Sequence, residues 1–133
     1  YNLSYDIINK NHGITINFSG ILSKSDLDEV NHKIITAPDF ENTQYIIWDA
    51  SRIDSFNIDD HDATKFSAMD SVTSKHNSKR PLKLAFFSTD DRINELIDIY
   101  IENTVAMGNK WLIKSFNNLS IAKEWALLDD DSL

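Results

Sequence analysis

The chain of 133 residues has no cysteine, three glycines and two prolines. Without thiols there is no disulfide framework, no thiol nucleophile and no Cys-ligated zinc or iron–sulfur centre. Gly13, Gly20 and Gly108 are too scattered for a phosphate-cradling loop or a dinucleotide fingerprint. Basic residues are also scarce: 13 Lys+Arg stand against 21 Asp+Glu, a net charge of -8. A nucleic-acid binder needs a basic face to displace counterions, so nucleic acid is not an expected partner. Pure apolar runs stop at four residues, as in Tyr45–Trp48 and Leu84–Phe87. A membrane span needs about 18, and no basic start leads into an apolar segment, so neither a span nor a signal peptide is expected. The absence of cysteine fits a reducing cytoplasm.

What remains is 41% hydrophobic, enough for one core at this length. Leu3, Tyr5 and Ile7 alternate with polar residues, as do Ile14, Ile16 and Phe18. Two period-two runs around Asn9–Gly13 predict an antiparallel hairpin. The period then lengthens. Ser25 and Asp28 make a capping arrangement for a helix carrying Leu27, Val30 and Ile34, which Pro38 ends. Tyr45–Trp48 predicts a short central strand closing at Asp49. A second helix is expected from about 59 to 75, with Phe66, Met69 and Val72 facing inward. Pro81 opens a strand over 82–87. Thr89 or Asp90 caps a third helix with an apolar stripe from Ile93 to Val105, and Gly108 stops it. A strand over 111–116 and a helix capped by Asn118 follow. The order ββαβαβαβα predicts an α/β domain over 1–128, with mostly parallel strands after the hairpin and an acidic tail over 129–133.

Several local patterns carry a resemblance. Gly20 and Leu22 lead into Asp26-Leu27, and Pro38-Asp39-Phe40 follows the first helix. Asp49-Ala50-Ser51 closes one strand, and Lys83–Phe87 forms another. Ser115-Phe116 leads to Ile121-Ala122 and Trp125-Ala126-Leu127. In order and spacing these resemble the SpoIIAA-like family of small STAS-fold proteins, over about residues 5 to 128. The resemblance implies a βα superhelix and a homodimer. The wider STAS group includes anti-sigma-factor antagonists switched by phosphorylation of a Ser in an Asp-Ser pair after the third strand. The SpoIIAA-like branch is associated with binding small lipophilic molecules and with membranes, and it is not an enzyme family. Here Asp54-Ser55 falls in the corresponding loop, with Ser51 a second phosphorylation candidate. That loop is short, and Phe56-Asn57 stands where the family pattern has Ser-Gly.

The polar residues offer little catalysis. Asp54, Ser55, Asp59, Asp60, His61 and Asp62 lack the spacing of a calcium loop and fit the positive end of a helix instead. No metal or cofactor is expected. His12, His32, His61 and His76 share no ligand motif, and no nucleophile elbow accompanies any Ser. An enzyme using His61 or His76 as base is the weakest reading. Lys75, Lys79, Arg80 and Lys83 form a basic island that could meet anionic headgroups from the inner membrane face. The apolar breadth of the third helix suggests that it covers more than its own sheet. The leading expectation is therefore a non-enzymatic module binding a small lipophilic ligand between the second and third helices and the sheet. Phe56, Phe66, Met69, Phe87, Ile97, Tyr100 and Ile101 would line the pocket. The alternative is a regulatory protein-interaction domain phosphorylated on Ser55 or Ser51.

Overall fold

The structure, a computed structural model, describes residues 4–10, 12–76 and 81–128. A hairpin of β1 (Ser4–Lys10) and β2 (Gly13–Ser23) opens the domain. There follow α1 (Lys24–Ile35), β3 (Tyr45–Asn57), α2 (Asp60–His76), β4 (Lys83–Phe87), α3 (Asp91–Ala106), β5 (Leu112–Phe116) and α4 (Leu119–Leu127). One 3-10 turn at Phe40–Asn42 precedes β3. The strands lie in sequential order, β1 antiparallel to β2 and the others parallel. This is the expected ββαβαβαβα order.

Strand alternation divides the core in two. Ile16, Phe18, Ile46, Trp48 and Leu84 face α1, α2 and α3. Tyr45, Ile47 and Ala85 face the other way, under Ala122 and Ala126 of α4. The hairpin depends on a close approach. A Cβ on Gly13 would stand 1.8 Å from the Tyr45 ring, its register neighbour on β3. The Tyr45 hydroxyl donates across the turn to the Lys10 carbonyl at 3.2 Å.

Two boundaries differ from expectation. The cap of α1 is Ser23, not Ser25: its hydroxyl accepts from Asp26 N–H, and the Asp26 carboxylate accepts from Ser23 N–H. More consequential is β3, which runs to Asn57 instead of stopping at Asp49. Two register shifts against β2 each place an extra residue in β3, after Asn17–Asp49 and after Gly20–Ile53. Each bulge turns a spacing of two into three, so Ala50, Ile53 and Phe56 stay on one face. Asp54 and Ser55 therefore lie in a strand and not in a loop, with Ser55 beside Ile21 of β2.

α2 is also rotated from the expected face. Its buried residues are Ala63, Phe66, Ser67, Ser71 and Ser74. At 100° per residue that face is centred about 70° away from Phe66 in the direction opposite to Met69 and Val72. Met69 and Val72 are accordingly 46% and 58% exposed. The serines let α2 approach α3 closely. Ser67 Oγ is within 3.0 Å of the Tyr100 carbonyl, and Asn103 Nδ2 donates to Thr64 Oγ1 at 3.1 Å.

Candidate functional site

The three helices do not fill the space above the sheet. Between them lies a partly open cavity of about 130 Å³. Its floor is Phe18 and Leu22 of β2, Trp48, Ile53 and Phe56 of β3, and Phe86 of β4. The bulged spacing of β3 supplies Ala50, Ile53 and Phe56 to one wall. Ala63, Phe66 and Asp70 of α2 stand three and four residues apart, so one helical face looks into the cavity. α3 contributes Ile93, Leu96, Ile97 and Tyr100 at the same periodicity, and α1 adds Leu27 and Asn31. Apolar cavities of this size stay dry and accept compact hydrocarbons.

A row of aromatic rings crosses the floor. Phe18 stacks on Trp48 with centroids 5.6 Å apart, and Trp48 on Phe86 at 6.1 Å. Phe86 meets Tyr100 edge-on at 5.5 Å. The row ends at a polar group. Tyr100 OH donates to Asp70 Oδ2, and Asn31 Nδ2 donates to Asp70 Oδ1 at 3.5 Å. Three helices thus meet at one carboxylate. Asp70 as a residue keeps some surface exposed, but its carboxylate is desolvated, which pushes its pKa up from 3.8 to about 6 against the two hydrogen bonds. Burial, and then the charge of Asp70, raises Tyr100 well above its ordinary value. The Trp48 indole N–H, on the same wall, is buried without a hydrogen-bond partner among the described residues.

Of the seven residues expected to line a pocket, the cavity brings together Phe56, Phe66, Ile97 and Tyr100. Phe87, Met69 and Ile101 are not on its wall. Phe87 follows Phe86 in a strand, so it points to the opposite sheet face, beside Phe116. Met69 sits on the exposed side of the rotated α2, and Ile101 lies one residue around α3 from Tyr100. Asp70, Asn31, Trp48 and Phe86 were not anticipated. Their signal lay in pairing: Trp48 and Phe86 are register partners, and Asp70 follows Phe66 by one helical turn.

The other candidates are dispersed. Ser51 and Ser55 are exposed on β3, and Ser51 Oγ donates to Asp49 Oδ1 at 2.6 Å. Asp59 and Asp62 cap α2 reciprocally: each backbone N–H is accepted by the other's carboxylate, at 2.8 and 3.1 Å. The hydrogen bond from Asp62 N–H holds the Asp59 carboxyl below its ordinary value. Among the described residues no three His, Asp or Glu converge as metal ligands. His61 is exposed in the first turn of α2, and His76 is its last residue. In the basic island, Lys75 is exposed at the end of α2, whereas Lys79 and Arg80 lie outside the described residues. Lys83 is not available to a headgroup. It is 5% exposed, and its ammonium donates to the Leu128 and Trp125 carbonyls at 2.6 and 3.3 Å. Strand alternation turns it toward the open end of α4, where a cation is favoured.

No protein-family model matches the chain, and no curated protein matches it. Solved structures do. The chain is similar to an uncharacterised protein of the DUF3478 family with a SpoIIAA-like fold from Shewanella loihica, with a TM-score of 0.51 and 11% identity over 93% of each chain. It is also similar to the anti-sigma factor antagonist SpoIIAA in its unphosphorylated form, with a TM-score of 0.54 and 11% identity over 92% of this chain and 98% of that one. At this identity the likeness establishes the fold, α/β with the strand order described above. No helix among the described residues is long and apolar enough to cross a membrane.

Proposed function

We propose that the chain is a non-enzymatic binding module that takes a small lipophilic ligand into the cavity between α1, α2, α3 and the sheet. The observation that carries this reading is the cavity itself, about 130 Å³ with walls of aromatic and aliphatic side chains. Each methylene buried there contributes about 0.8 kcal/mol, so a compact apolar body offsets the cost of association. Catalysis has less support, because among the described residues no Ser or His joins Asp70 and Tyr100 on the cavity wall as nucleophile or second base. The homodimer belongs to the same proposal. The exposed Leu112 on edge strand β5, with Ile121 and Leu127 of α4, is the apolar surface in its favour. Native mass spectrometry of protein purified without detergent tests the carrier reading. A retained adduct is expected in the wild type and not in Ile97→Trp, which places an indole in the cavity. A wild type that retains nothing and binds no added apolar probe would end the proposal.

A second reading, a regulatory protein-interaction domain switched by phosphorylation, is favoured by the SpoIIAA-like fold together with the exposure of the Ser55 and Ser51 hydroxyls. Phosphate on Ser55 would add about -1.5 to -2 charges beside Asp54. Pull-down with wild type and Ser55→Asp tests it: a partner captured by one form and released by the other is expected. Equal capture by both removes the switch.

A further inference from the structure

The polar groups along the cavity wall are engaged with one another. Asp70 accepts from Tyr100 OH at one carboxylate oxygen and from Asn31 Nδ2 at the other, at 3.5 Å. The Trp48 indole N–H is itself buried. What the described residues turn toward the space is almost wholly carbon, with Leu22, Ile53, Phe56, Phe66, Leu96 and Ile97 among them. A hydroxyl, carboxyl or amine carried into such a space gives up its water and gains no partner there. Size and shape narrow the occupant further. An apolar cavity of about 150 Å³ takes up benzene, and this one is about 130 Å³. Its floor is a row of rings, with Phe18 and Trp48 tilted 5° from parallel and Trp48 and Phe86 18°. A flat ring can meet such a floor by offset stacking, whereas a flexible chain must first be ordered to lie on it.

We infer that the ligand is a single-ring aromatic hydrocarbon with no hydrogen-bonding group. The inference rests on the lipophilic-ligand reading and specifies the class of molecule. It separates this site from that of an acyl-lipid carrier. A fatty acid would have to leave its carboxylate at the mouth and fold its chain into the volume of one ring. Adding a hydroxyl to the ring should cost affinity on the scale of transfer into an alkane, because the wall supplies no partner. Transfer into octanol, which can hydrogen-bond, costs a hydroxyl much less.

Isothermal titration calorimetry of the wild-type protein with ethylbenzene, 2-phenylethanol and octanoate tests this. Ethylbenzene is expected to bind more than about thirtyfold more tightly than 2-phenylethanol, beyond what octanol-like surroundings would give. Octanoate should not displace it. Ethylbenzene binding should be weakened in both Ile97→Trp and Ala63→Leu, which fill the cavity from different helices. An affinity unchanged in either would place the probe elsewhere and overturn the inference. If 2-phenylethanol comes within about thirtyfold, or octanoate competes, the site accepts a polar group or a chain. The hydrocarbon inference is then wrong and the cavity reading stands. If none of the three binds, both fall.

Discussion

The Tyr100 hydroxyl donates to the Asp70 carboxylate across the α2–α3 contact, and the acid nonetheless titrates high, at about 6 rather than 3.8. Desolvation outweighs the hydrogen bonds from Tyr100 and Asn31. The consequence for stability has a definite sign. Below the ordinary value both folded and unfolded chains carry the proton. As pH rises toward 6 the unfolded chain releases it first, so Asp70 increasingly favours unfolding, and the effect levels off above the folded value. A shift of about two units corresponds to about 2–3 kcal/mol. Asp70→Asn keeps an acceptor for Tyr100 and removes the charge. Urea denaturation should find the variant more stable than wild type by about 2 kcal/mol near neutral pH and little different near pH 4. A difference that stays constant across that range would mean that the carboxylate is solvated.

Lys83 holds the end of α4. Its ammonium reaches the Trp125 and Leu128 carbonyls, the first of which also accepts from Leu128 N–H at 3.3 Å, and it lies 5.6 Å above the Trp125 ring. Lys83→Met keeps the stem and removes the donor. Losing these charge-assisted hydrogen bonds should cost about 1–3 kcal/mol. Thermal denaturation measures the loss, and hydrogen exchange should locate faster opening in α4 ahead of α1–α3. Exchange that accelerates uniformly, or not at all, argues against this local role.

Most of the architecture was legible because the sequence keeps its periods where elements are regular. The hairpin alternates, and the caps at Asp90 and Asn118 lie where their side chains accept from Ile93 and Ile121 N–H. The second half of β3 was not legible. Two bulges give Ala50, Ile53 and Phe56 a spacing of three, which resembles neither strand nor helix, and the segment read as a loop. α2 misled for a different reason. It buries serines against α3 while leaving Met69 and Val72 exposed, so hydrophobicity marked the wrong face. The candidate site suffered from both effects. Phe56, Phe66, Ile97 and Tyr100 could be named from their apolar character, but Asp70 and Asn31 are polar side chains whose place at the cavity is set by packing between three helices. Phe86 and not Phe87 faces the helices because strand side chains alternate, and the run Phe86-Phe87 gives no hint of which ring does so.

Gly13 should tolerate no side chain. A Cβ would fall 1.8 Å from the Tyr45 ring, whose hydroxyl also spans the hairpin turn to Lys10. Displacing a buried aromatic ring costs about 1–3 kcal/mol or more. Gly13→Ala should show that loss in chemical denaturation. Tyr45→Ala alone should also destabilise, yet the double variant should lose clearly less than the sum of the two. Simple additivity would show that the ring is not the obstacle.

The cavity itself makes a prediction about sign. Ala63 is 4% exposed and lies on the cavity wall in the first turn of α2. In a close-packed core, enlarging such a residue forces neighbours apart and destabilises. Beside a void, the added carbons of Ala63→Leu find empty apolar space, at about 0.8 kcal/mol per methylene before any strain. The variant should therefore gain about 1 kcal/mol and bind 2-phenylethanol more than about tenfold less tightly than wild type. Val30, fully buried in the same core but away from the cavity wall, provides the contrast. Val30→Leu should lose about 1–3 kcal/mol and, where it still folds, keep probe binding. Should Ala63→Leu lose as much stability as Val30→Leu, the space beside it is too small to admit three carbons, and no ligand could enter there either.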